Sequence, residues 1–136
     1  MEAKKIIITG GATRIGSAIA KSLAGYDVDI VIHFNKSKKS AQQLKTELEE
    51  MGSKVHLIKA DLSNINQVKK IVPFAHKKMR GLDCLINNAS LFEKDDLENF
   101  SDKSFSKHLD INLKAPAFLI KDFKRYVKNK EANVIN

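Results

Sequence analysis

Short apolar runs alternate with segments of helical periodicity along the whole chain. The run KKIIITG is rich in β-branched residues, and both it and VDIVIHF have the pattern of buried strands. The runs KVHLIKADLS and LDCLINNAS predict a third and a fourth strand. The segments between them, such as SAQQLKTELEEMG, carry apolar residues at helical spacing and end in glycine. This alternation builds right-handed crossovers, and it therefore predicts an α/β protein with a doubly wound parallel sheet.

The last third of the chain predicts one long helix and the opening of a fifth strand. Within the helix, Pro116 predicts a kink. An apolar stripe is expected along one face, formed by Phe105, Leu109, Leu113, Leu119 and Phe123. The segment ANVIN then opens the fifth strand. The expected unit is one Rossmann-type, dinucleotide-binding domain over residues 1–136, with about five strands and truncated at the start of strand five.

Composition argues against several classes of protein. No apolar run approaches the roughly 18 residues that span a bilayer, and the N-terminus lacks a signal-peptide pattern, so we expect no membrane association. A single cysteine, Cys84, cannot form an internal disulfide, which favours a reducing, cytoplasmic location. The net charge of +8 comes from lysines spread over helix faces without interleaved aromatic residues, so we expect no nucleic-acid partner. No group of residues has metal-ligand spacing, and no metal is expected.

A glycine-rich turn follows the first strand, where ligands of a doubly wound sheet bind. This turn, TGGATRIG, spans Thr9 to Gly16. Its backbone N–H groups could close on a pyrophosphate at the N-terminus of the next helix. A tight structural turn would also explain two glycines, so the loop alone leaves ligand binding open.

Three motifs, TGGATRIG, ADLS and NNAS, resemble in their order and spacing the short-chain dehydrogenase/reductase family. The resemblance covers the whole chain but only about the first half of a family member. Three features look most like the pteridine-reductase branch of the family: the final serine of NNAS, where Gly is commoner, Arg14 in the glycine loop, and the segment HFNKS. Ketoacyl-carrier-protein reductases are the next best match. In the first loop the resemblance implies cofactor contacts at Gly10, Thr13, Arg14, Ile15 and Gly16.

The end of the second strand favours NADP over NAD. An NAD site usually has an acidic residue here, which binds the ribose 2′-hydroxyl, but Asp27 and Asp29 lie at the start of the strand. Without a carboxylate, Arg14, Lys36 and the Ser37 hydroxyl could hold a 2′-phosphate. A solvated Lys-Ser loop is the alternative, although it does not explain Arg14. The positions assigned to the cofactor here are His33, Asn35, Lys36 and Ser37, and a lone histidine at a strand end is more often structural than a ligand.

The loops after strands three and four complete the expected site. The resemblance assigns cofactor contacts there to Asp61, Leu62, Asn88, Ala89 and Ser90. Asp61 could instead cap the next helix, and Asn87 is expected to tie neighbouring strands together. In pteridine reductases, the residues that match Ser90 and Phe92 hydrogen-bond to the pterin and stack on its ring. These two are therefore the candidate substrate residues, although Phe92 could equally fill the core.

The family's chemistry is hydride transfer with proton delivery by a tyrosine beside a lysine. The resemblance assigns one catalytic residue to this chain, Asn112, which would anchor a relay water; a structural hydrogen bond is the alternative. The family's serine, tyrosine and lysine occur at and after strand five. Tyr126 and Lys130 have the spacing of the catalytic pair but precede that strand, so we expect them to take no part in catalysis.

The resulting prediction is the NADP-binding N-terminal portion of a short-chain reductase, pteridine-reductase-like and inactive alone. Two alternatives remain open. The chain could be half of a split enzyme completed by a second chain, ketoacyl-carrier-protein reductase-like, or a non-catalytic interaction protein on a decayed reductase scaffold. Expected partners are NADP(H) and either a complementing C-terminal chain or further copies of this chain. An oligomer would form through the last strand's edge or through helix residues Leu113, Ala117 and Ile120.

Overall fold

Five parallel strands form one sheet in the order β3-β2-β1-β4-β5. A computed structural model describes residues 3–127 and 131–136 of the chain. The strands are β1 (Lys4–Ile8), β2 (Val28–Phe34), β3 (Lys54–Lys59), β4 (Cys84–Ile86) and β5 (Asn133–Ile135). The predicted doubly wound, Rossmann-type sheet is confirmed, and ANVIN supplies its fifth strand, paired with β4. The strand order reverses between β1 and β4, which is where such sheets bind ligands.

Helices cover both faces of the sheet. They are α1 (Arg14–Leu23), α2 (Lys38–Glu50), α3 (Ile65–Met79), α4 (Asp102–Leu109) and α5 (Ala115–Tyr126), with a π-helical turn (Asp110–Lys114) between the last two. Successive strand residues point to opposite faces. One core therefore packs alternate residues of β1 and β2, such as Ile8 and Ile30, against α1 and α2. The other packs Ile7 and Val31 against α3 and α5. All seven residues of β2 are buried, as its mostly apolar pattern predicts, and they include the polar residues Asp29 and His33.

The long helix is interrupted immediately before Pro116. Proline has no N–H to donate to the carbonyl of Asn112, four residues earlier. The backbone widens there into the π-helical turn, and the Ala115 N–H donates instead to the carbonyl of Asp110. The predicted break at Pro116 is therefore present as a local insertion in the hydrogen-bond ladder.

The predicted single apolar stripe along this helix is wrong. Leu119 and Phe123 are buried in the core under α5. The first part of the stripe is exposed instead, at 53% for Phe105, 43% for Leu109 and 64% for Leu113. Leu113 and Leu119 are six residues apart, which is not helical same-face spacing, and the π-helical turn shifts the phase further. The two halves of the stripe therefore face different surroundings.

Tyr126 lies at the end of α5, and its ring centroid is 4.9 Å from that of His76 on α3. It is half-buried against the α3–α5 core. It therefore has a packing role in this part of the molecule, and its exclusion from catalysis stays a prediction. Lys130, the other member of the suggested pair, lies outside the described residues.

Candidate cofactor site

The carboxyl ends of β1 to β4 surround a cavity of about 530 Å³. Every residue that the sequence assigned to the cofactor lines it: Gly10, Thr13, Arg14, Ile15, Gly16, His33, Asn35, Lys36, Ser37, Asp61, Leu62, Asn88, Ala89 and Ser90. Separate segments of sequence therefore meet at one edge of the sheet. Their contact with a cofactor remains a prediction, but the cavity is the place where such contacts would be made.

The glycine turn is shaped by close backbone approaches. Gly10 has φ +60°, a left-handed conformation, and a Cβ there would lie 2.9 Å from the Cα of Ala89. A Cβ at Gly16 would overlap the carbonyl oxygen of Gly10. The Asn88 amide donates from Nδ2 to the carbonyls of Thr9 at 2.9 Å and Gly10 at 3.1 Å. The turn after β1 is thus fixed against the loop after β4.

Asn87 ties β4 to β5, as expected. Its backbone N–H donates to the carbonyl of Ile135 at 2.8 Å, and its Nδ2 donates to Oδ1 of Asn136 at 2.7 Å. Its own Oδ1 is buried without a hydrogen-bond partner among the described residues. The side chain therefore has one free acceptor beside a second cavity, described below.

His33 forms the floor of the main cavity and is 2% exposed. Its Nε2 lies 3.0 Å from the carbonyl oxygen of Ala60, which can only accept, so Nε2 carries the proton. Nδ1 then accepts the Gly10 N–H at 3.1 Å. Burial lowers the pKa of His33, partly opposed by its bond to Ala60 and by the charge of Asp61. Both ring nitrogens are used within the protein, so His33 supports the turn and offers a ligand only its ring surface.

Three groups that can bind an anion lie in the corner between the glycine turn and α2. Arg14 and Lys36 are exposed, and neither pairs with a carboxylate among residues 3–127 and 131–136. Ser37 is the N-cap of α2, but its side chain makes no capping hydrogen bond, which leaves the hydroxyl available. The acidic residue nearest in sequence to Lys36 is Asp29, which lies at the other end of β2. Its Oδ1 is 3.1 Å from Nε2 of His56.

Arg14 adopts φ 52°, a left-handed conformation that a non-glycine residue occupies at a cost of roughly 1–2 kcal/mol. Glycine would be free of this cost. Strain of this kind is typical of functional positions, and here it places a permanent cation in the cavity wall.

Asp61 lines the same cavity from the loop after β3 and is held as a carboxylate. Its Oδ1 accepts the Ser63 hydroxyl at 2.8 Å and the Ser63 N–H at 2.9 Å. These two hydrogen bonds lower the pKa of Asp61, and the positive charges of Lys107 and Lys36 lower it further. The side chain therefore acts within its own loop through Oδ1 and presents a negative charge to the cavity.

A second cavity of about 450 Å³ shares Asn88, Ala89 and Ser90 with the first. Of the two candidate substrate residues, Ser90 lines this cavity, and Phe92 lines neither. Asn112 lines the second cavity, and its amide brackets Leu91: Nδ2 donates to the Leu91 carbonyl at 2.8 Å and Oδ1 accepts the Leu91 N–H at 2.7 Å. The structural hydrogen bond left open for Asn112 is therefore present. Phe92 is 89% exposed, which excludes the alternative that it fills the core.

Sequence reasoning missed two charged residues that line the main cavity, Glu93 and Lys107. They form an ion pair between the loop after β4 and helix α4. One lies in a loop and the other on a helix, so no helical or strand periodicity relates them. They come together only when the chain folds. A residue of the π-helical turn, Ile111, also lines the cavity and was not predicted.

Within residues 3–127 and 131–136, no three His, Cys, Asp or Glu side chains gather as they would around a metal ion. In the same residues, no helix has both the length and the apolar content needed to cross a bilayer.

A parallel sheet that reverses its order beside a glycine turn and a deep edge cavity defines a Rossmann-type α/β protein. A family model described as short chain dehydrogenase matches residues 4–136. The chain therefore belongs to the short-chain dehydrogenase family.

Individual relatives agree with this assignment. The short-chain dehydrogenase/reductase FrzI of Cladobotryum sp is 30% identical over 117 residues, which are 86% of this chain and 45% of that protein. A short chain dehydrogenase of Burkholderia cenocepacia J2315, crystallised with NADP, is 28% identical with a TM-score of 0.93, covering 98% of this chain and 54% of that one. FolM alternative dihydrofolate reductase 1 of Brucella canis, complexed with NADP, is 29% identical with a TM-score of 0.85, covering 92% and 50%. The chain spans about half the length of these relatives.

Proposed function

We propose that these 136 residues form the NADP-binding portion of a short-chain reductase. The observation that carries the proposal is the charge near the end of β2: Arg14, Lys36 and the free Ser37 hydroxyl line the cavity, and neither cation is paired with a carboxylate among the described residues. A ribose 2′-phosphate would find charge-assisted donors there. A 2′-hydroxyl would lack the acidic acceptor that NAD sites provide. The relatives crystallised with NADP support the same choice.

The remaining walls suit the rest of the dinucleotide. The glycine turn opens α1 beside the cavity, so the helix N-terminus faces the place of a pyrophosphate. The N–H groups of Gly10 and Gly11 are already bonded to His33, so the donors for the ligand would come from the residues that follow them. Asp61, a carboxylate, and Leu62, an apolar side chain, would contact the adenine from the loop after β3. Ala89 is small enough for the backbone to approach the adenosine ribose. In bound form, NADP would supply the hydride chemistry, and these residues would bind and orient it.

For the substrate, we propose a flat pterin-like ring. Ser90 lines both cavities, and Phe92 is exposed between Leu91 and Glu93, which line the main cavity. A hydroxyl and an exposed aromatic face can recognise the polar edge and the face of such a ring. The similarity to an alternative dihydrofolate reductase, whose named substrate carries a pterin, supports this class.

Proton delivery is the part of the reaction that we do not assign to these residues. Both tyrosines of the chain, Tyr26 and Tyr126, are absent from the linings of the two cavities. We therefore propose that the 136-residue chain binds cofactor without turnover. Adding a polypeptide with the family's serine, tyrosine and lysine and following NADPH oxidation would identify a split enzyme. We also propose a cytoplasmic location, on the ground that the chain's single cysteine favours a reducing compartment.

The cofactor choice is tested by exchanging the charge at Lys36. Lys36→Asp removes a phosphate partner and adds a ribose acceptor, so NADPH binding should weaken at least about tenfold while NADH binding improves. The matched control is Lys39→Asp, which makes the same charge change at an exposed residue of α2 outside the cavity. Isothermal titration calorimetry on the three proteins measures both affinities. If Lys36→Asp and Lys39→Asp change them equally, Lys36 does not bind the phosphate and the proposed basis of cofactor choice is wrong.

A further inference from the structure

The segment after β4 that carries Phe92 has neither helix nor strand, and side chains from α4 and the π-helical turn hold it in place. Leu91 is bracketed by Asn112. Glu93 is held by two contacts. Its backbone N–H donates to Nε2 of His108 at 3.1 Å, and its carboxylate forms an ion pair with Lys107. Asp95 accepts the hydroxyl of Ser104. Residues 91, 93 and 95 are thus anchored, while 92 and 94 are exposed between them.

His108 can make its bond in only one tautomer. Its Nδ1 lies 2.9 Å from the carbonyl oxygen of Ser104, which can only accept, so Nδ1 carries the proton. Nε2 then presents a lone pair to the Glu93 N–H. The helix fixes the ring, and the ring fixes the backbone of the segment at the residue that follows Phe92. Lys107, one residue earlier, holds the side chain of the same Glu93 while lining the cavity.

We propose that His108 and Lys107 are positioning residues that fix Phe92 for ring stacking and close the main cavity on the side of α4. This inference rests on the proposed function, because the ring that Phe92 would meet is that of the proposed substrate. Without the two anchors on Glu93, the remaining anchors of the segment are Leu91 and Asp95, and the stretch from 92 to 94 between them is held by neither. Phe92 would then sample many positions, and the cavity wall formed by Leu91 and Glu93 would loosen.

The chain contains no tryptophan, so Phe92→Trp creates a single fluorescent reporter at the position in question. Time-resolved anisotropy of this introduced indole without ligand measures the local motion of the segment. In this background, His108→Ala and Lys107→Met should both increase the amplitude of fast depolarisation. His108→Gln, which places an amide acceptor near the position of Nε2, should restore the slow decay. Lys103→Met, at an exposed residue of α4 outside the cavity, is the matched control and should change nothing.

A second readout joins the anchors to the cofactor. Tryptophan emission overlaps NADPH absorption, so energy transfer from the introduced indole reports how close the segment lies to bound NADPH. His108→Ala should weaken NADPH binding about threefold to tenfold, the effect of one lost hydrogen bond, and should lower transfer at saturation. Thermal unfolding midpoints should stay close to the parent's, because the segment is exposed.

The proposal is overturned if the introduced indole is equally rigid in the Phe92→Trp parent, His108→Ala and Lys107→Met, or if His108→Gln is as mobile as His108→Ala. Failure of the proposed function would look different. In that case calorimetry would detect no NADPH binding to the parent, while the anisotropy differences measured without ligand would persist.

Discussion

His33 should make the fold sensitive to acid in a predictable direction. The ring is buried, and burial lowers its pKa below the ordinary value of 6.5. At pH values between the folded-state pKa and 6.5, the unfolded chain binds a proton that the folded chain does not. The stabilising contribution of neutral His33 is therefore complete above pH 6.5 and is lost as the pH falls toward the folded-state pKa. Acid should weaken the fold through this residue.

The size of this loss of stability is set by the uptake of one proton on unfolding. Where the folded ring stays neutral and the unfolded ring is charged, the free energy of unfolding falls by about 1.4 kcal/mol per pH unit. Because the unfolded ring is only half-protonated at pH 6.5, the decline begins more gradually than this limit and steepens as the pH falls toward the folded-state pKa. The same protonation would place an N–H on Nδ1 against the Gly10 N–H, so the glycine turn should loosen as well.

Urea unfolding followed by circular dichroism at several pH values measures this effect. The comparison is His33→Asn, whose amide oxygen can still accept the Gly10 N–H but does not titrate. The chain has four histidines, and the other three are present in both proteins, so their contributions cancel in the difference. The free energy of unfolding of the parent should decline more steeply below pH 6.5. Parallel pH profiles, or a steeper decline for His33→Asn, would refute the account of His33.

Three further predictions concern the turn and the exposed helix. Gly16→Ala should lower the thermal unfolding midpoint and abolish NADPH binding measured by calorimetry, because the new methyl group overlaps the Gly10 carbonyl; normal binding would contradict the turn geometry. Arg14→Gly should change the free energy of unfolding by less than about 1 kcal/mol, because strain relief and backbone entropy oppose each other, yet weaken NADPH binding about tenfold; unchanged affinity would remove Arg14 from the site. The unmodified chain should be a dimer or larger oligomer by light scattering, and Leu113→Asp should dissociate it; a monomeric parent would rule this out, and an oligomer that survives the substitution would move the contact to the strand edge.

Local patterns of sequence predict the sheet well because strands buried on both faces need mostly apolar runs. VDIVIHF is such a run, interrupted by Asp29 and His33, and all its residues are buried. The gathering of the cofactor residues was also predictable, since parallel strands present their carboxyl ends at one edge. Short-range rules suffice where the topology itself brings residues together.

The errors arise where contacts depend on tertiary structure. The apolar stripe from Phe105 to Phe123 assumed one continuous helical phase, which the π-helical turn before Pro116 breaks. The bond from His33 to Ala60 and the Glu93–Lys107 ion pair join residues far apart in sequence. No local pattern encodes such pairs. A structural role for His33 could be anticipated from its place at a strand end, but its hydrogen-bond partners and the Glu93–Lys107 pair in the cavity lining emerge only from the folded chain.

The central claim is that the cavity selects a dinucleotide by its 2′-phosphate. Calorimetric titration of the unmodified chain with NADPH and with NADH, at the same pH and salt concentration, tests it most directly. The account predicts that NADPH binds at least about tenfold more tightly, the effect of charge-assisted contacts to one phosphate group, and that added salt narrows the difference. Equal affinity for the two dinucleotides, or tighter binding of NADH, would contradict it.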